Sequence, residues 1–142
     1  RAVAASLDAS EYVVDTELLN TIDKGALDNF VKHAKRYKFI VGVGGGKIID
    51  IAKYASFSFG VPFISVPTVP SHDGIVSPRA TLNNNGVHYS FSARAPLGIV
   101  VDMSVISKAP YKMIAAGAGD MIAKITAIAD WRLSHNETGE IF

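Results

Sequence analysis

Lys38-Phe39-Ile40-Val41-Gly42-Val43-Gly44-Gly45-Gly46-Lys47-Ile48-Ile49-Asp50 is the stretch that decides the fold. β-Branched and aromatic residues run into three consecutive glycines, and apolar residues at helical spacing run out of them. The pattern predicts a buried strand over 38–43, a tight turn, and a helix over 47–59. Glycines at 44, 45 and 46 remove every Cβ from the turn, so a ligand can approach the backbone. The first helical amides have no carbonyl partners within the helix and carry the positive end of its dipole. An anion, most often a phosphate, is their natural guest. The same glycines also suit a turn that only lets helix and strand pack closely.

Neither familiar phosphate motif fits. In Gly-x-Gly-x-x-Gly the third glycine would fall at Lys47, and positions 62–70 carry no carboxylate where one is expected roughly 20 residues on. Gly-x-x-x-x-Gly-Lys-Ser/Thr fails at Val41 and again at Ile48.

The next strand, 63–66, runs into Pro67-Thr68-Val69-Pro70-Ser71-His72-Asp73-Gly74-Ile75-Val76-Ser77-Pro78-Arg79. Three prolines stiffen this loop and set out Thr68, Ser71, His72, Asp73 and Ser77 at close intervals. It suits a polar cap on the sheet or, beside a phosphate turn, part of a site. Tyr12-Val13-Val14 is a further strand candidate, and residues 1–11 stay unassigned. Ile22, Leu27, Phe30, Val31 and Ala34 recur at helical spacing within 17–36, with a basic last turn. Ile48, Ile51, Ala52, Ala55 and Phe59 form the stripe of the 47–59 helix, which Gly60 stops. Alternating strands and helices with short connections predict parallel strands, right-handed crossovers and a ligand site at the strands' carboxyl ends. The glycine turn and the 67–79 loop should therefore face one crevice.

Beyond the loop, 79–82 and 87–93 predict a hairpin around Asn83-Asn84-Asn85-Gly86. Leu97-Gly98-Ile99-Val100-Val101 predicts another buried strand, and a long helix fits 110–135. Its apolar face comprises Ile114, Ala118, Met121, Ile122, Ile125, Ala129 and Leu133. The fold class is thus α/β: a parallel nucleotide-binding sheet with flanking helices, a hairpin insertion, and the first long helix of a further domain. The expected division is 1–108 and 109–142.

Composition narrows the function classes. Hydrophobic residues make up 49% of the 142 and charged residues 19%, which suits a soluble, well-buried globular protein. A net charge of +1 without a Lys/Arg cluster argues against nucleic acid as a partner. No stretch reaches the ~18 uninterrupted apolar residues of a membrane span. Zero cysteines exclude disulfides and thiolate metal sites, and a cytoplasmic protein is expected. The chain opens at Arg1 without Met or a secretory pattern, as an excised segment would.

Asp120 stands among Ala115, Ala116, Gly117, Ala118 and Gly119. A buried carboxylate needs a cation, a metal or a donor, and the small neighbours open space beside it. Lys124, one turn on, offers an ordinary i,i+4 partner instead. A zinc site needs about three protein ligands. His135 lies ~22 Å along the same helix from Asp120, and His33 and His88 belong to other elements. His72 is the remaining neighbour, so these residues make an incomplete metal site.

Three segments together resemble the glycerol-1-phosphate dehydrogenase family of the iron-containing alcohol dehydrogenase, glycerol dehydrogenase and dehydroquinate synthase superfamily. They are Val41–Asp50, Pro67–Pro78 and Ala109-Pro110-Tyr111 with Ala115–Asp120. The resemblance runs from Phe39 to Trp131 and implies NAD- or NADP-dependent, zinc-dependent reduction of dihydroxyacetone phosphate to glycerol 1-phosphate, the first step towards archaeal membrane lipids. It implies that Gly44, Gly45, Gly46, Lys47, Ile48, Ile49 and Asp50 hold the cofactor diphosphate, and that Thr68, Ser71 and Ser77 contact the cofactor. Asp73 would contact substrate near the nicotinamide. Asp120 would bind both zinc and substrate, making Asp73 and Asp120 the catalytic pair. The family's other two zinc ligands are histidines further along, without counterparts in these residues, and its opening βαβ segment also looks missing. A central part of a larger enzyme, inactive and a poor zinc binder alone, is the expectation. Self-association into a homo-oligomer is expected as well. Ala123 and Lys124 depart from the family's Ser and Asn. A glycerol dehydrogenase-like polyol oxidoreductase and a non-catalytic nucleotide-binding module are the alternatives; His72 beside Asp73 favours the glycerol-1-phosphate branch.

Overall fold

The computed structural model describes residues 1–19, 30, 32, 36–84, 87–139 and 141. In chain order these form α1 (Ala2–Asp8), β1 (Ile40–Gly44), α2 (Gly46–Phe59), β2 (Phe63–Pro67), a 3-10 turn (Asp73–Ile75), β3 (Arg79–Asn84), β4 (Val87–Ser92), β5 (Gly98–Ile99), α3 (Met103–Ile106) and α4 (Tyr111–Thr138).

The expected strand–turn–helix at the glycine cluster is present. β1 and β2 pair in parallel, from Ile40 opposite Phe63 to Gly44 opposite Pro67. β2 pairs in parallel with β5 on its other side, which gives the order β1-β2-β5. The sheet and α2 bury a core of Ile40, Ile49, Ala52, Ala55 and Phe63, with Phe59, Val61 and Ile75 packed against it. Gly60 ends α2 in the left-handed conformation (φ 69°), which a glycine adopts without a Cβ penalty. β3 and β4 form the expected antiparallel hairpin, joined to α2 by the Tyr54–Phe91 ring contact at 5.4 Å.

Several expectations differ from the structure. Tyr12-Val13-Val14 is not a strand. Val13 is exposed and no ladder takes its backbone groups, although the Tyr12 ring meets Phe39 edge-on at 5.9 Å. Residues 2–8, left unassigned by pattern, are helical, with no residue buried. The helix expected within 17–36 falls mostly outside the described residues. The strand expected over 97–101 shrinks to Gly98–Ile99 at the sheet edge, where Leu97, Val100 and Val101 stay exposed. The long helix spans Tyr111–Thr138, and none of its residues is buried. Its apolar stripe, with Met121, Ile122 and Ile125, is exposed, and the 67–79 loop meets the helix at Gly117, Asp120 and Lys124.

Periodicity also missed Lys53, which is fully buried on α2. Its Nζ donates to the carbonyls of Gly74 (2.6 Å) and Arg79 (2.7 Å), and reaches Asp50 Oδ1 at 3.4 Å. Asp50 Oδ2 in turn accepts the Thr81 N–H at 3.2 Å. Burial pushes the Asp50 carboxyl up and the Lys53 ammonium down, and each charge offsets the other's shift. Lys53→Met would strand the Asp50 charge and two carbonyls, and should destabilise the full-length protein by about 3–5 kcal/mol in urea unfolding at pH 7. The Asp50→Asn/Lys53→Met double variant should recover part of that loss. A single-variant loss below about 1 kcal/mol would show that the pair does not hold the fold.

Candidate functional site

Parallel pairing brings the carboxyl ends of β1 and β2 side by side, as the alternation required. The Thr68 N–H donates to the Gly44 carbonyl at 3.0 Å and clasps the glycine turn to the start of the next loop. Gly45 caps α2 in extended conformation (φ −77°, ψ 178°), and its carbonyl accepts from Ile48 and Ile49 at 3.0 and 3.2 Å. The Gly46 and Lys47 amides precede any carbonyl the helix can offer them. They and the helix dipole make a candidate anion seat, with the Lys47 side chain exposed beside it.

The 67–79 loop crosses this seat. The Asp73 carbonyl accepts from Val76 (2.9 Å) and Ser77 (3.0 Å), which folds Asp73–Ile75 into the 3-10 turn. Lys53 holds this turn from beneath at Gly74 and Arg79. Thr68, Ser71, Asp73 and Ser77 lie half-buried along the loop. α4 approaches from the opposite side, and a Cβ at Gly117 would overlap the Pro70 carbonyl oxygen. The space beside the small residues of α4 is therefore filled by the loop backbone.

That approach brings two carboxylates together. The Asp73 N–H donates to Asp120 Oδ2 at 2.8 Å. Lys124 Nζ lies 3.0 Å from Asp73 Oδ2 and 3.5 Å from Asp120 Oδ1, bridging both acids. The expected i,i+4 pair of Asp120 with Lys124 is present, and the other Asp120 oxygen accepts the loop N–H. Its side chain is 29% exposed, so it is not the buried acid that its small neighbours suggest. The Asp73 N–H, helped by Lys124, holds the Asp120 carboxyl below the usual carboxylate range. The contact with Asp73, then Asp120, raises the Lys124 ammonium.

Other sequence-derived candidates take different positions. The Asp50 side chain points under α2 to Lys53 and Thr81, away from the anion seat. Ile49 is buried in the core and Ile48 half-buried, so these residues can meet a ligand only through the backbone. His72 Nδ1 accepts the Gly74 N–H at 2.8 Å, which takes that nitrogen out of metal ligation. Among the described residues, no three His, Cys, Asp or Glu side chains gather as a metal site. Among the described residues, Asp120 Oδ1 meets only the Lys124 ammonium. Lys53 was legible in principle: Ile49, Ala52, Lys53 and Ser56 share the buried face, and Asp50 stands three residues before the lysine.

The Asp120 tether has a pH signature. Its folded pKa is depressed, so its contribution is complete above the unfolded value of about 3.9 and is lost as pH falls through the folded value. The Asp73 amide resonance, followed by NMR, should titrate with a midpoint below about 3.9. A midpoint at or above that value would show that the bond does not persist in solution.

The family described as iron-containing alcohol dehydrogenase matches residues 1–110. The glycerol-1-phosphate dehydrogenase [NAD(P)+] of Thermoplasma volcanium is 53% identical over 103 residues, covering 72% of this chain and 29% of that protein. The enzyme of the same description from Pyrococcus furiosus is 39% identical over 142 residues, covering 100% of this chain and 40% of that one. The chain thus spans well under half the length of these relatives. Among solved structures, glycerol dehydrogenase from Schizosaccharomyces pombe superposes with a TM-score of 0.73 at 28% identity, over 86% of this chain and 34% of that one. An iron-containing alcohol dehydrogenase from Thermotoga maritima shares the fold at a TM-score of 0.67 and 18% identity, over 83% and 39% of the two chains. The family match covers more than half of the chain, which therefore belongs to the iron-containing alcohol dehydrogenase family.

Proposed function

We propose that the intact protein is a glycerol-1-phosphate dehydrogenase that reduces dihydroxyacetone phosphate with NADH or NADPH. One observation carries this reading: the Asp73 N–H bond to Asp120, which draws a loop carboxylate and a helix carboxylate together beside the anion seat. The relatives' description as glycerol-1-phosphate dehydrogenases using NAD(P)+ supports the choice of reaction.

In this reading the Gly46 and Lys47 amides donate to the cofactor diphosphate, with Gly44, Gly45, Ile48, Ile49 and Asp50 completing the turn. Thr68, Ser71 and Ser77 line the path of the cofactor along the loop. Asp73 orients the substrate by accepting a hydrogen bond from its hydroxyl group. Asp120 Oδ1 fits as one oxygen ligand of zinc, and two histidines from outside these 142 residues would complete the set. Zinc, when bound, polarises the ketone and stabilises the oxygen charge as hydride arrives. Residues 1–108 then belong to the nucleotide-binding half, and 109–142 open the helical half. Self-association into a homo-oligomer is part of the same proposal.

The test uses the full-length protein: oxidation of NADH and NADPH with dihydroxyacetone phosphate, with zinc and after chelation. Turnover should depend on zinc, and Asp120→Asn should lower kcat/KM at least about 100-fold, beyond the loss of an outer-shell partner. Oxidation of glycerol without reduction of the phosphorylated ketone would point to the polyol branch, consistent with the Schizosaccharomyces pombe likeness. Cofactor binding without turnover on either substrate would leave a nucleotide-binding module.

A further inference from the structure

We propose that His72 is a positioning residue coupling the cofactor seat to the carboxylate pair, with its ring serving the first and its Nδ1 the second. The inference rests on the function proposed above for those two sites.

His72 is the N-cap of the 3-10 turn, in extended conformation (φ −170°, ψ 170°). Its Nδ1 accepts the Gly74 N–H at 2.8 Å. An accepting Nδ1 carries no proton, so the neutral ring holds its proton on Nε2. The same ring lies against the first residue of α2. A Cβ at Gly46 would overlap Nε2 and stand 2.8 Å from Cε1 and 3.1 Å from Cδ2. A Cβ at Gly74 would overlap the ring as well, at Nδ1 and Cε1. Two glycines from separate segments therefore leave the volume that one imidazole fills. At Gly46 the missing side chain admits His72 on the loop side, while a ligand meets the amides.

The two contacts do different work. Ring packing on Gly46 is steric and fixes how far the helix start can shift towards the loop, and so where its free amides point. The Nδ1 bond is directional and sets the Gly74 amide, hence the Asp73–Gly74 peptide. The Asp73 N–H beside it donates to Asp120. Loss of the ring should loosen the cofactor seat, and loss of the acceptor should loosen the substrate side.

Two substitutions in the full-length protein separate these effects. His72→Asn keeps an oxygen that accepts from the N–H two residues on, as helix caps do, but removes the ring. His72→Phe keeps a ring and removes the acceptor. His72→Asn should raise the NADH Kd, read by fluorescence titration, about tenfold, with KM for dihydroxyacetone phosphate within about twofold of wild type. His72→Phe should do the reverse, raising that KM about tenfold at a near-unchanged NADH Kd. Hydrogen exchange at the Gly74 amide in cofactor-free protein should accelerate in His72→Phe and stay protected in His72→Asn. Equal shifts of Kd and KM in both variants would reduce His72 to packing and overturn the inference, as would no shift in either. Wild-type protein that neither binds NADH nor reduces dihydroxyacetone phosphate would instead remove the functional reading, and this inference with it.

Discussion

The buried ammonium of Lys53 is the contact on which the rest of the site depends. An ammonium has three protons to donate, and here each has an acceptor: the Gly74 carbonyl, the Arg79 carbonyl and the Asp50 carboxylate. Two of these acceptors flank the second half of the 67–79 loop, and the third sits on the same helix as the lysine. The loop is thereby bolted to α2 within its 3-10 turn and again where β3 begins. Because α2 begins at the glycine turn, the distance between that turn and Asp73 is set by a short chain of hydrogen bonds. Desolvating Lys53 and Asp50 is unfavourable, as their shifted ionisation indicates. The full complement of partners is what makes that burial tolerable.

From the loop the same logic passes to α4. No residue of this 28-residue helix is buried, so apolar packing does not hold it to the described residues. Its attachment is the close approach of Gly117 to Pro70, the Asp73 N–H bond to Asp120, and the Lys124 bridge. These groups are 29–42% exposed, where ion pairs contribute little stability. They define orientation instead. α2, the loop and α4 thus form a relay in which the loop is the common member.

Much of this arrangement was legible in the sequence, and the exceptions share a cause. The strand entering the glycines, the helix leaving them, the second parallel strand and the hairpin were visible because each has a period and a stop signal: Gly44–Gly46, Gly60, Pro67, Asn83–Gly86. That the glycine turn and the start of the 67–79 loop lie side by side followed from parallel pairing alone. Tyr12–Val14 misled because β propensity describes residues, whereas a strand also needs a neighbour with free backbone groups; 97–101 does pair with β2, through the Leu97 and Val100 N–H groups, but as an exposed edge rather than a buried strand. Lys53 leaves no mark in the apolar periodicity of α2, because a buried lysine looks like a break in the stripe. The loop's internal bonds, from His72 to Gly74 and from Asp73 to Ser77, leave no periodic trace. Lys124 was visible as a partner of Asp120, but its bridge to Asp73 depends on a contact 51 positions away, as Lys124 and Asp73 stand in the chain.

A site of this kind has reason to be built from hydrogen bonds. Burial of apolar surface is non-directional: it brings α2 onto the sheet but does not fix a peptide plane to a fraction of an ångström. The 67–79 loop has few apolar side chains to bury, and its three prolines limit where it can bend without saying which way its amides point. Direction comes from Lys53 below, His72 across and Asp120 above, each bonded to a backbone group of the segment Asp73–Arg79. Transfer between a bound cofactor and a substrate tolerates little misplacement. Three charged or polar side chains converging on one short turn supply the constraint that the hydrophobic core cannot.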